Sequence, residues 1–107
     1  MISQELLNQA TQRLVKQFNP YKIILFGSQA RGSADERSDV DLLVVASFKG
    51  KRRKVIVSMD RALRGIGFAR DLVLLTPDEY ERNSHIPGTV ARPASREGKI
   101  LYERPQQ

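Results

Sequence analysis

Two short groups of residues in this chain could do chemistry together. The first is Gly27-Ser28, at the end of the apolar run Ile23-Ile24-Leu25-Phe26; the second is Asp39-Val40-Asp41, opening the apolar run Leu42-Leu43-Val44-Val45. A Gly-Ser step after a strand can start a helix. The first N–H groups of a helix have no partner within it and attract phosphate, and glycine lets the backbone approach closely. Asp39 and Asp41 are two apart in extended chain, so their carboxylates point to one side. Two carboxylates on one side suit Mg²⁺, which prefers hard oxygen ligands and shares them with phosphate. Neither group is specific alone, because Gly-Ser is common in turns and Asp-x-Asp at strand ends. Together they point to chemistry on a nucleoside triphosphate.

The elements that must position these groups are legible around them. Tyr21 to Phe26 reads as a first strand, apolar enough to be covered on both faces. Ser28 to Arg31 reads as one or two helical turns, Gly32 to Arg37 as a polar loop, and Asp39 to Ala46 as a second strand. That strand is polar only at its first end, which places the carboxylates at a sheet margin. Before them, Ser3 to Phe18 shows Ile2, Leu6, Ala10, Leu14 and Phe18 at helical spacing, with Ser3 as cap and Asn19-Pro20 as stop. After them comes a turn from Phe48 to Lys54 with the basic run Lys51-Arg52-Arg53-Lys54. Val55, Met59, Leu63 and Ile66 then predict a helix ending near Gly65. Asp71 to Leu75 is a third strand. Thr76-Pro77-Asp78-Glu79 is a helix start with a capping box, and that helix runs to Asn83. Thr89 to Glu97 reads as a last helix interrupted by Pro93. Lys99 to Tyr102 is a short final strand, and Arg104 to Gln107 should fray. The class expected is α/β (α+β), a small mixed sheet of about three to four strands flanked by helices.

At 107 residues the chain is expected to be a single domain, residues 1–107. It has no cysteine, hence no disulfide framework and no cysteine metal site. No apolar run approaches the ~20 residues of a membrane span, and no charged-then-apolar signal opens the sequence. A cytoplasmic protein is the expectation. The single histidine, His85, has no second ligand near it and reads as a surface residue. Net charge is +6. That charge suits a nucleotide substrate, an acidic protein or a nucleic acid. The basic run reads as a solvated helix start, although its four cations oppose the helix dipole, which leaves contact with phosphate, RNA or an acidic partner as its other readings.

Gly27-Ser28, ten residues (29–38) containing Ala30-Arg31-Gly32 and Ser38, then Asp39-Val40-Asp41 form a pattern of wider reach. It resembles the minimal nucleotidyltransferases (MNT) of the DNA polymerase β superfamily. The similarity is greatest to small stand-alone proteins encoded beside HEPN-domain toxins. It extends to the tail Arg96-Glu97-Gly98-Lys99-Ile100-Leu101-Tyr102-Glu103 and so covers nearly the whole chain. The resemblance implies a polymerase β-like nucleotidyltransferase fold. It also implies transfer of AMP from ATP to a hydroxyl, a tyrosine in such relatives, of a cognate HEPN-domain toxin, with the protein acting as antitoxin.

Such a transfer also needs the acceptor hydroxyl deprotonated, for which two divalent ions about 3.5–4 Å apart serve. A third carboxylate is then expected on a neighbouring strand, and Asp71 is the acid at a strand start. The candidate catalytic and metal residues are therefore Asp39, Asp41 and Asp71, with Mg²⁺ as cofactor and ATP as substrate. Gly27, Ser28 and Arg31 are the candidates for nucleotide binding. A non-catalytic module that neutralises its partner by contact is the competing reading. A basic RNA-binding protein is a third, weakened by the shortage of exposed aromatics to stack bases; nucleic acid is not expected as a direct ligand. The apolar residues Phe48, Phe68, Tyr80 and Ile86 leave room for a homodimer or hetero-oligomer.

Overall fold

Apolar β-branched and leucine runs build the centre of the molecule. The computed structural model describes residues 3–32, 39–89 and 97–105. Strands β1 (Lys22–Phe26), β2 (Val40–Val45), β3 (Arg70–Leu75) and β4 (Lys99–Glu103) form one mixed sheet in the order β3-β2-β1-β4. β1 runs antiparallel to β2 and β4, and β2 pairs with β3 in parallel. This is the class and strand number expected from the sequence. Antiparallel neighbours need only short links, whereas the parallel β2–β3 pair needs a crossover. Helix α3 (Arg52–Ala62) supplies it.

Successive strand side chains alternate between the two faces of the sheet. On one face Ile23, Leu25, Leu42 and Val44 meet Leu7, Ala10 and Leu14 of α1 (Gln4–Phe18) and Met59 of α3, all buried. On the other face Ile24, Leu43 and Val45 form a smaller buried cluster. Phe26, Val73, Leu75 and Tyr80, the last from α4 (Pro77–Asn83), border it half-buried. One face thus carries the main core. The second is covered less deeply, and the odd-numbered residues of β2 and β3 point toward it.

Helix α1 starts where Ser3 accepts the Leu6 N–H at 3.2 Å and stops at left-handed Asn19. Its buried stripe is Leu7, Ala10 and Leu14, with Leu6 half-buried beside it; Leu7 and Val15 widen the apolar stripe in the sequence as well. α3 begins at Arg52, three residues before the expected Val55. The basic run therefore forms its first turn, against the dipole, a cost of about 0.3–1 kcal/mol per badly placed charge. Arg52 offsets part of this through a two-pronged pair with Glu79, at 2.6 and 2.7 Å. Arg104 does not fray. Its N–H donates to the Tyr21 carbonyl at 2.8 Å, and its guanidinium lies 3.8 Å from the Tyr21 ring centroid. Phe48, Phe68 and Tyr80 pack against the two clusters, which leaves only Ile86 of the four spare apolar residues exposed. The expected loop at 33–37 and nearly all of the expected last helix lie outside the described residues. Among those described, no helix is long and apolar enough to cross a membrane.

The capping box at α4 forms as its sequence predicts. Glu79 accepts the Thr76 N–H at 2.9 Å and its own N–H donates to the Thr76 hydroxyl at 3.2 Å. The Thr76 backbone N–H and, behind a small opposing effect of burial, the Arg52 guanidinium hold the Glu79 carboxyl below the usual glutamate range. A carboxyl with a depressed folded-state pKa stabilises above its unfolded pKa and loses that contribution as pH falls through the folded value. Glu79→Ala should therefore cost about 1 kcal/mol in urea denaturation at neutral pH. The difference from wild type should shrink toward zero as pH drops below about 4.

Candidate active site

Register places the acids. Val40 donates its N–H to the Ala69 carbonyl at 2.9 Å, and from there β2 and β3 run side by side with Asp41 the partner of Asp71. Paired residues of adjacent strands share a face, and the strands lie about 4.7–4.9 Å apart. Asp41 and Asp71 therefore stand side by side on the less covered face. Asp39, two residues earlier and exposed, precedes the strand. On the other flank Phe26 of β1 is the partner of Asp41. The row across three strands is Asp71, Asp41, Phe26, and the chain turns immediately afterward at Gly27.

That turn is the tightest contact of the site. Gly27 has φ +74 and ψ −155, a combination favourable only to glycine, and it is the N-cap of the four-residue helix α2 (Ser28–Arg31). A Cβ built on Gly27 would lie 2.2 Å from Oδ2 of Asp41. The space a methyl group would occupy is filled by the Asp41 carboxylate, at the residue that caps α2. Gly27, as N-cap, has no side chain of its own to offer the first amides of α2. Ser28 is half-buried, Gln29 and Ala30 are buried, and the backbone of Arg31 ends the helix; the Arg31 side chain lies outside the described residues.

Of the residues expected from the sequence, Gly27, Ser28, Asp41 and Asp71 thus lie at one end of three adjacent strands. Asp39 stands at the entrance of β2. Among the described residues no three His, Asp or Glu side chains are already gathered as a metal cage. The donor set nevertheless fits a divalent cation. Carboxylates side by side on adjacent strands offer hard oxygen ligands that one divalent cation could share. The adjacent backbone amides suit the phosphates such a cation accompanies.

Two residues of this end were missed in the sequence. Phe26 was read only as strand; pairing, which a lone sequence does not state, puts it beside Asp41. Arg70 was left outside β3, yet it belongs to the strand and fastens it to α3. Its Nε donates to Asp60 Oδ1 at 3.0 Å, and its NH2 group to the Asp60 carbonyl at 2.8 Å. The signal was present in a charged residue with a long stem directly before an apolar strand, opposite an acid one crossover helix away.

Comparison with known proteins agrees with this geometry. A family model described as "Polymerase beta, Nucleotidyltransferase" matches residues 8–107. A curated protein of Methanocaldococcus jannaschii named "Putative protein adenylyltransferase" is 57% identical over 44 residues, 41% of this chain. The match spans only 28% of that relative's length. A crystal structure described as a putative nucleotidyltransferase from Sulfolobus solfataricus superposes with a TM-score of 0.66 at 20% identity, covering 94% of this chain and 79% of the other. A crystal structure described as a toxin–antitoxin with AMP-PNP gives 0.62 at 19% identity, covering 91% and 73%. At these identities the two structures establish the fold.

The Gly27–Asp41 contact can be tested against an internal control. Gly32 has the same φ of +74, but a Cβ there meets nothing within 4 Å among the described residues. Gly27→Ala and Gly32→Ala should each lose about 1 kcal/mol or more of stability from backbone strain. Only Gly27→Ala should also weaken binding of a magnesium complex of a non-hydrolysable ATP analogue, by about tenfold or more in titration calorimetry.

Proposed function

The chain belongs to the polymerase β nucleotidyltransferase family, and from that premise we propose that it transfers AMP from ATP to a hydroxyl group of a protein partner. The single observation that carries this reading is the pairing of Asp41 with Asp71 beside the glycine that Asp41 needs. The adenylyltransferase name of the Methanocaldococcus relative supports AMP as the group moved and a protein as the acceptor. The toxin–antitoxin structure with AMP-PNP supports an adenine nucleotide and a toxin as partner. The resemblance to proteins encoded beside HEPN toxins makes a HEPN-domain toxin, modified on tyrosine, the partner of choice, with this protein as its antitoxin in the cytoplasm.

In this mechanism the amides of Gly27 and Ser28 receive the β- and γ-phosphates, and Arg31 neutralises phosphate charge. Asp39, Asp41 and Asp71 would hold the divalent ions, two Mg²⁺ in the simplest form. When bound, these supply neutralisation of the triphosphate and a lowered pKa for the acceptor hydroxyl. Asp71, on the edge strand, lies on the side from which an acceptor can approach, and its carboxylate draws the hydroxyl proton. The hydroxyl oxygen attacks the α-phosphorus in line. A new P–O bond forms, the bond to the β-phosphate oxygen breaks, and pyrophosphate leaves.

Incubation with ATP, Mg²⁺ and the toxin should release pyrophosphate and add the mass of one or more AMP units to the toxin. Asp39→Asn, Asp41→Asn and Asp71→Asn should each lower the rate by about 100-fold or more. Neutralisation of the toxin that persists in the double variant Asp39→Asn, Asp41→Asn would instead favour inhibition by contact alone.

A further inference from the structure

The cations of α3 lie on a helix across the sheet from Asp41. α3 packs on the main core face through Met59 and Leu63, whereas Asp41 and Asp71 belong to the opposite face. Its outer surface carries Arg53, Val57 and Arg61 at successive turns, with Lys54 between them on the same side and Arg64 just past the helix end. From Arg53 to Arg61 this stripe runs about 12 Å. The neighbouring acids are already engaged, Asp60 with Arg70 and Glu79 with Arg52. Lys51, Arg53, Lys54, Arg61 and Arg64 have no ion-pair partner among the described residues. In their midst Val57 is 46% exposed.

Two shallow depressions share Val57 and Arg61. One, about 550 Å³, lies among Lys51, Arg53, Lys54 and Ser58. The other, about 470 Å³, lies between α3 and the edge strand β3, with Asp71 among its lining residues. The basic stripe and one of the candidate catalytic acids thus border depressions that share two residues.

We propose that this outer face of α3 is a docking surface for an acidic amphipathic segment of a protein partner, with an apolar side chain seated on Val57, acidic groups on Arg53, Lys54 and Arg61, and the chain continuing along the β3 edge toward Asp71. An apolar centre ringed by charge is the anatomy of a protein interface. A nucleic-acid backbone would gain nothing from the exposed valine, and the stripe holds no aromatic residue for a base to stack on. The continuation toward Asp71 rests on the nucleotidyltransfer reading. The docking itself does not.

The test is a titration of methyl-labelled full-length protein, without nucleotide, by a synthetic helical peptide carrying glutamates four residues apart and a central leucine. The Val57 methyl signals should shift saturably. Val57→Ser, Arg53→Glu and Arg61→Glu should each weaken the peptide by about tenfold or more, while Asp39→Asn binds it like wild type. Absence of a Val57 shift overturns the proposal. So does binding indifferent to Val57→Ser, or displacement of the peptide by poly(U) RNA with the same shifts. Because binding is read without ATP, a failure of AMP transfer leaves this result standing, and a failure of docking leaves AMP transfer untouched.

Discussion

A missing methyl group sets the geometry of this molecule's functional end. Asp41 projects its carboxylate into the volume that any side chain at position 27 would need, 2.2 Å from where a Cβ would stand. A side chain at 27 would push the Asp41 carboxylate out of this position, because the atoms it meets are those of the Asp41 side chain. Strand register is stiff, because a slip of one residue would exchange every buried side chain with an exposed one. The β1–β2 register, with Phe26 opposite Asp41, brings that carboxylate to the turn, and glycine at 27 leaves room for it.

The rest of the fold holds that arrangement still. Ile23, Leu25, Leu42 and Val44 are buried under α1 and α3, which secures β1 and β2 from one side. β3 sits at the edge with pairing on one side only, and the Arg70–Asp60 clamp ties its first residue to α3. The acid next to that clamp is Asp71. Its position relative to Asp41 thus depends on a polar contact made on the other side of the sheet. The second face carries a lighter apolar cluster, and it is the face on which like charges are placed together. The main core and the paired acids are divided between the two faces of a single sheet.

How much of this was legible in the sequence depends on which interactions are local. The helix caps at Ser3 and Thr76, the glycine turn and the apolar strands are written in adjacent residues, and they formed within a residue or two of expectation. The start of α3 was legible only in part: the basic run reads as a helix start, but its four cations argue locally against the dipole, and the apolar spacing begins only at Val55. The compensating Glu79 lies in another helix, 27 positions away. Arg104 was read as loose for the same reason: its partners, Asn19 and Tyr21, are near the other end of the chain. The spacing of Asp39 and Asp41 was visible, and Asp71 could be picked out as an acid at a strand start. That Asp71 is the register partner of Asp41 is a property of the parallel pairing, which only the fold supplies.

The positive net charge takes its meaning from where the charges lie. Among the described residues, a dense group of cations lies on α3, across the sheet from Asp41. Arg52 is spent on Glu79, and the others face solvent around an exposed valine. Among the described residues of that end, Asp39, Asp41 and Asp71 are the acids, and carboxylates are the oxygen ligands a divalent ion takes. The exposed cations of α3 carry part of the overall +6 of the chain. They form a surface that the catalytic reading leaves unexplained, and a protein ligand of opposite charge is what its composition suits.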